Sequence, residues 1–270
     1  MARVKEALAA KIPLDLDAAA DEIAFIRATV GASGASGVVV GLSGGVDSSL
    51  VVVLCVRAIG AQKVLGLIMP TAFTPESDLD DARELASSLG VRTREIRIDP
   101  IAEAFAKTLS IEHEAMSQRI PVANILARIR MIFLYYYANL NNLLVVGTGD
   151  RSEDLIGYFT KHGDGGADLL PISHLYKTQV RALAERLGVP HRIAYKPSSP
   201  QLYPGHKATD EIPTDYDKLD IVEACLFDQH MPIEKVAYVA GVPLGVVTEV
   251  ARRYESTRHK REYPAMVRCW

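Results

Sequence analysis

Residues Ser43-Gly44-Gly45-Val46-Asp47-Ser48-Ser49 set two glycines, three hydroxyls and one carboxylate between two apolar runs, Val38 to Leu42 and Leu50 to Val56. A β-branched run ending in a glycine-serine turn, followed by an apolar stretch of helical length, predicts backbone N–H groups gathered at a helix N-terminus. Such a turn holds an anion, phosphate above all. It lacks the lysine of a Gly-x-x-x-x-Gly-Lys loop and the Gly-x-Gly-x-x-Gly of a dinucleotide fold. Its hydroxyls and Asp47 suit Mg²⁺ bridging to phosphate oxygens. A serine-capped helix start without a ligand has the same composition, and the heptapeptide alone leaves both readings open.

The elements around this turn alternate. Apolar residues Leu16, Ala20, Ile23, Ile26 and Val30 recur at helical spacing, and a glycine-rich turn from Gly31 to Gly37 precedes the first strand. Next come a helix from about Val46 to Ile59, a strand from Val64 to Met69, and a helix from about Glu76 to Leu89 stopped by Gly90. A strand from Arg92 to Ile98 follows. Short strands alternating with helices predict an α/β fold, a doubly wound parallel sheet with helices on both faces. Ligands in such sheets bind at the carboxyl ends of the strands. The Ser43 turn, Asp99-Pro100 and Gly147-Thr148-Gly149-Asp150, which closes the apolar run Leu143 to Val146, all fall on that edge. Three loops are therefore expected on one crevice.

Composition narrows the function. With 270 residues, 49% of them hydrophobic, the chain can bury a substantial core and has no signature of disorder. A net charge of −3 disfavours bulk electrostatic binding of nucleic acid. Cys55, Cys225 and Cys269 form no Cys-x-x-Cys pair, so neither a disulfide framework nor a zinc site is indicated. The N-terminal residues lack the apolar core of a signal peptide and no uncharged run reaches membrane-spanning length, which predicts a cytoplasmic protein with no membrane partner.

The motifs also carry a resemblance. Ser-Gly-Gly-x-Asp-Ser at 43–48 resembles the pyrophosphate-binding loop of the ATP pyrophosphatase superfamily, whose members split ATP between its α and β phosphates. The second half is denser. Gly147-Thr148-Gly149 with Ser152-Glu153, Gly157-Tyr158-Phe159-Thr160-Lys161 with Gly163-Asp164-Gly165, Leu175-Tyr176-Lys177-Thr178-Gln179-Val180, and the terminal His259-Lys260-Arg261 resemble the NAD synthetase family in order and spacing. The likeness runs from about residue 20 to 264. It implies a Rossmann-like, adenine nucleotide alpha hydrolase-like fold and one domain over residues 1–270. It further implies a ligase that joins ammonia to the nicotinate carboxylate of deamido-NAD through an acyl adenylate, releasing NAD, AMP and pyrophosphate. Some relatives carry a glutaminase domain ahead of the first loop, and about 40 residues leave no room for one. Free ammonia or a separate donor protein is the nitrogen source expected.

By the same resemblance, Gly41, Leu42, Ser43, Gly44, Gly45, Val46, Asp47, Ser48, Thr148, Lys177 and Ser198 contact ATP, with Ser199 the alternative register for Ser198. Asp47 and Glu153 hold Mg²⁺. Asn124, Arg128, Lys161, Asp168, His259 and Lys260 contact deamido-NAD, which the family binds across a homodimer interface. The apolar helix around Met131 to Tyr137 would pack that dimer, although a buried intramolecular helix reads the same. Lys177, Lys161 and Asp164 are the candidate catalytic groups, Asp164 as proton acceptor from the incoming ammonium. Lys161 and Asp164 also read as solvated loop charges, and Glu153 as a first-turn glutamate favoured by the helix dipole. Two departures stand out. The segment Gly205-His206-Lys207-Ala208-Thr209-Asp210-Glu211-Ile212-Pro213 replaces a family loop, and Asp150 stands where asparagine is common. Other members of the superfamily, among them GMP synthetase and tRNA-thiolating enzymes, use similar loops. The latter add cysteines or a basic domain that this chain lacks, and a nucleotide sensor without turnover would not require both Asp47 and Glu153.

Overall fold

The computed structural model describes residues 19–111, 119–199 and 207–267; Leu16, Gly205, His206 and Cys269 lie outside them. Helix α1 (Ala20–Ser33) takes up the first part of the glycine-rich segment and ends only at Gly34, whose φ of 70° is a left-handed C-cap. Strand β1 (Gly37–Gly41) follows. Its three valines are fully buried, with Val38 and Val40 turned into one core and Val39 into another. That alternation, period two in a β-branched run, is what fixes a strand between two helical layers.

Helix α2 (Val46–Ile59) is apolar nearly all round because it is enclosed, packing on the sheet, on α1 and on a later helix. Strand β2 (Val64–Ile68) lies parallel to β1 with Val39 opposite Leu65. Helix α3 (Glu76–Ser88) leads to β3 (Arg92–Glu95), an edge strand exposed along its length. The strand stops short of the expected Ile98, although Ile96 N and Ile98 N still bond Ile68 O and Pro70 O. Asp99-Pro100 is not a strand-closing loop but the first turn of α4 (Asp99–Thr108), where proline's fixed φ and missing N–H are tolerated. Helix α5 (Arg119–Asn141) begins earlier than Asn124, with Pro121 in its first turn, and lies across β1 and β4 (Leu143–Val146).

The strand order is β3-β2-β1-β4, all parallel. The chain leaves β1 toward β2 on one side while β4 sits on the other, so the loops after β1 and β4 part at their carboxyl ends. Beyond β4 come α6 (Arg151–Leu155), α7 (Lys177–Arg186), α8 (His191–Ala194) and α9 (Tyr216–Glu223). Helices α10 (Ile233–Ala240), α11 (Leu244–Ser256) and α12 (Arg258–Arg261) follow. The buried faces of α9 to α11 join Leu155, Ile156 and Tyr176 in a core of their own. No helix among the described residues is long and apolar enough to cross a membrane.

Candidate active site

The loop after β1 is shaped by its glycines. Gly44 has φ of 75°, and a Cβ there would stand 2.1 Å from the carbonyl oxygen of Asp78. Any other residue would push the loop off α3. Gly45 is the residue before α2, and the hydroxyls brace the turn. Ser48 Oγ accepts from Ser43 N at 3.3 Å and donates to Gly45 O at 3.1 Å, while Ser43 Oγ accepts from Gly45 N at 3.3 Å. Asp47, in the first turn of α2, faces the cavity with a side chain 23% exposed.

The loop after β4 presses as close. A Cβ on Gly147 would meet Ala167 and Leu170 at 2.8 and 2.6 Å. Asp150 then caps α6, its Oδ1 accepting from Glu153 N at 2.9 Å, and this places Glu153 at the cavity wall with 21% exposure. Between the two loops stands Lys177, the first residue of α7, wholly buried. Its ammonium bonds Asp47 and Glu153 at 2.8 Å each, pairs with Asp150 Oδ2 at 2.7 Å, and lies 5.1 Å from the Tyr216 ring centroid. Burial alone would lower the Lys177 pKa, but Asp150, Asp47 and Glu153 outweigh it and hold the group well above its usual range. Burial raises Asp150 and Glu153, an effect that Lys177 opposes.

Asp47 and Glu153 open on one cavity of ≈ 840 Å³. Of the expected residues, Gly41, Leu42, Ser43, Gly45, Val46, Asp47, Ser48, Asn124, Thr148, Glu153, Asp164, Ser198 and Lys260 line it. Ser198 Oγ is buried and bonds no protein group among the described residues. Its main chain is tied to the segment after 206 through Ala208 N, which donates to Ser198 O at 3.0 Å. Gly44, Arg128, Lys161, Asp168, Lys177 and His259 are not among the residues that line the cavity. Gly44 is covered by α3. Lys177 sits beneath the carboxylates. Asp168 accepts from Val145 N at 2.7 Å and Tyr135 Oη at 3.1 Å, joining β4 to α5.

The segment from Gly157 to Gly166 forms the far wall and is stitched on both sides. Thr160 Oγ1 donates to Asn124 Oδ1 at 2.7 Å, and Thr160 N to Asp164 Oδ1 at 2.9 Å. Arg128 donates to Lys161 O at 3.2 Å, Lys161 Nζ to His259 O at 2.5 Å, and Lys260 Nζ to Gly157 O and Phe159 O at 2.7 Å each. Asp164 is exposed toward the cavity, yet the protein packed around its carboxyl raises its pKa above the usual carboxylate value, an effect that the Thr160 hydrogen bonds oppose.

The structure adds residues that the sequence did not single out. Lys196 donates to Gly44 O at 3.1 Å and to Asp78 and Asp81 at 2.6 and 2.5 Å, bracing the β1 loop against α3. Arg130, one of two charges interrupting an apolar helix face, lines the cavity with its Nε on Met69 O at 3.2 Å. Its place in the helix was the only signal. Lys196 and its acids are more than a hundred residues apart and gave none.

Among the described residues no group of three or more His, Cys, Asp or Glu is placed to close on a metal ion by itself. Two cavity-facing carboxylates beside a phosphate-type turn nonetheless fit Mg²⁺, which commonly takes one or two carboxylates and completes its shell with phosphate oxygens and water.

A family model described as NAD synthase matches residues 19–264. The NH(3)-dependent NAD(+) synthetase of Staphylothermus marinus is 48% identical over 243 residues, 90% of this chain and 87% of the relative. Among solved structures, the NH3-dependent NAD synthetase of Campylobacter jejuni in complex with the nitrate ion is 32% identical with a TM-score of 0.76, over 93% of this chain and 97% of that one. The NMN synthetase of Francisella tularensis is 31% identical with a TM-score of 0.79, over 92% and 96%. A match of this extent, on a sheet whose switch point carries a Ser-Gly-Gly-x-Asp-Ser turn, places the chain in the NAD synthase family.

Proposed function

We propose that this chain catalyses the ATP-dependent amidation of deamido-NAD by ammonia, as a cytoplasmic ligase. One observation carries the reading: Asp47 and Glu153, delivered by the loops after the neighbouring strands β1 and β4, face the same cavity with one buried cation between them. A carboxylate accepts an amine poorly because oxide would have to leave. The nicotinate oxygen therefore attacks the α-phosphorus of ATP, the bond from that phosphorus to the bridging oxygen breaks, and pyrophosphate departs.

Charge develops on the departing oxygens at the N-terminus of α2, where N–H groups of the β1 loop and the hydroxyls of Ser43 and Ser48 can receive it. Asp47 and Glu153 would hold Mg²⁺, which when bound neutralises phosphate charge. Ammonia then attacks the acyl carbon and AMP leaves. Asp164, its pKa raised by the protein packed around it, takes the proton lost from nitrogen. Asn124 and Lys260 line the route by which the dinucleotide would enter, with Arg128, Lys161 and His259 supporting that wall by hydrogen bonds. Asp168 acts by fixing β4 to α5. The 157–166 segment keeps water from the adenylate. Ile132, Tyr136 and Leu140 leave an apolar stripe exposed along α5, which we assign to homodimer packing.

The likeness to an NMN synthetase favours a second reading for the acceptor alone, nicotinate mononucleotide in place of deamido-NAD. One assay separates them. Purified protein with ATP, Mg²⁺ and ammonium is expected to form NAD, AMP and pyrophosphate in equal amounts from deamido-NAD, with a higher kcat/KM than for the mononucleotide. Glutamine without ammonium is expected to support no turnover. A preference for the mononucleotide would move the reading to the second acceptor, and pyrophosphate release indifferent to either would contradict both.

A further inference from the structure

The face of α5 that borders the cavity carries Asn124, Ala127, Arg130, Met131 and Leu134, at helical spacing. Arg130 stands about 9 Å beyond Asn124 along the helix, at roughly 1.5 Å of rise per residue. It meets the carboxyl end of β2, where its Nε donates to Met69 O at 3.2 Å. Among the described residues the cations that line the cavity are Arg130, Lys196, Arg253 and Lys260. Lys196 is held by Asp78 and Asp81, Arg253 by Glu249, and Lys260 by the carbonyls of Gly157 and Phe159. Arg130 differs. Beyond its bond to Met69 O, neither terminal nitrogen of the guanidinium has a protein partner among the described residues. Burial opposes its charge, and Asp164 and Asp99 support that charge through space without pairing with it. Their carboxyls are engaged elsewhere, Asp164 by Thr160 N and Asp99 by Ala72 N and Arg97. A brace for Met69 O uses the Nε–H alone. The fork of terminal N–H groups that remains, on a half-buried side chain of the cavity wall, suits a planar anion with two oxygens.

The neighbours of Arg130 say which anion. Phosphate has its own turn after β1, whereas α5 is pressed against the segment that carries Asp164 just before and just after Arg130. A Cβ on Gly163 would stand 3.0 Å from Ala127, and one on Gly166 3.1 Å from Met131. We infer that Arg130 binds the carboxylate of the acceptor and so selects the acid over the amide that the reaction makes of it, an inference that rests on the proposed function for the acceptor's identity. A dinucleotide entering past Asn124 presents its nicotinate at the deep end of the α5 face. One carboxylate oxygen stays on the guanidinium while the other attacks phosphorus. When ammonia adds to the acyl carbon, the C=O electron pair moves onto the held oxygen and returns as the bond to AMP breaks. Arg130 meets that transient charge, and Asp164 takes the proton. The amide product offers one neutral oxygen and an NH₂ group from which a guanidinium cannot accept, so it is held less tightly.

Titration calorimetry on the full-length protein, with deamido-NAD as the acid and NAD as the amide, reads the preference directly. The parent is expected to bind the acid at least about tenfold more tightly. In Arg130→Gln the affinity for the acid should fall about 10–100-fold, the scale of hydrogen bonds to a charged group, while that for NAD stays within about threefold. Equal losses for acid and amide would make Arg130 a brace for the end of β2 and overturn the inference. An unchanged preference, or a loss confined to ATP, would overturn it as well. If Arg130→Gln cannot be isolated folded, Arg130→Lys decides. Lysine keeps the charge but has no fork to serve Met69 O and a carboxylate together, so the affinity for the acid should fall about fivefold with NAD unmoved, and an unchanged ratio of acid to amide overturns the inference. If the mononucleotide proves to be the acceptor, its acid and amide forms make the same pair. A parent that turns over neither acid fails the proposed function itself, and that failure is read without any variant.

Discussion

Asp47→Asn is expected to reduce acceptor-dependent pyrophosphate release by about 10²–10³-fold, the scale seen when one preorganised electrostatic group is removed from a site of developing charge. The substitution is isosteric, and an amide can still accept from Lys177 Nζ, which now donates to Asp47 at 2.8 Å. The fold should survive. What is lost is one of two negative charges that face the cavity beside the phosphate turn, and with it half of the carboxylate pair that fits Mg²⁺. Circular dichroism and Tm establish that the variant is folded, and a pyrophosphate assay reads the loss. Near-normal turnover by a folded Asp47→Asn protein would remove Asp47 from the chemistry.

Lys177→Met is expected to destabilise the protein by about 3–5 kcal/mol near neutral pH, because it strands the fully buried Asp150 and removes the partner shared by the half-buried Asp47 and Glu153. The chain length of methionine matches lysine closely enough that packing alone predicts little change. The pH dependence separates charge from packing. Burial already raises Asp150 and Glu153, and Lys177 opposes that rise. Without it, their folded-state pKa values climb further above the unfolded ones. Between the two values the folded state binds more protons than the unfolded state, so stability falls as pH rises through that window. The deficit of Lys177→Met relative to the parent should be large at pH 8 and shrink toward pH 5. Urea unfolding at both values measures it, and an equal deficit at the two would show that the lysine acts by packing.

Much of the fold was legible because it is written in local periodicity. Val38 to Val40 and Leu143 to Val146 are β-branched or apolar runs between turns, and they occupy adjacent central strands. Asp99-Pro100 misled because an Asp-Pro pair after a buried isoleucine closes a strand or opens a helix with equal ease, and here it opens the helix Asp99–Thr108. In the site, Asp47 was legible from its glycine turn and Glu153 from the resemblance, and the structure brings both to one cavity. Lys177 was readable as important but not as buried: that it stands beneath three carboxylates depends on α7 packing against α2 and α9, a tertiary fact. Asp168 has a task that no local pattern showed, accepting from Val145 N and Tyr135 Oη and so joining β4 to α5. Lys196 and its acids meet only through the approach of α3 to the segment after α8, which no local pattern encodes.

Oxygen transfer tests the central claim, that the cavity activates the acceptor's carboxylate as an acyl adenylate. Deamido-NAD labelled with oxygen-18 in both carboxylate oxygens, turned over with ATP and ammonium, should deliver one labelled oxygen to the phosphate of AMP and leave the other in the amide of NAD, as read by mass spectrometry. Unlabelled AMP formed alongside NAD would contradict adenylation of the acceptor, and label in the pyrophosphate would mean that the carboxylate attacks elsewhere on ATP.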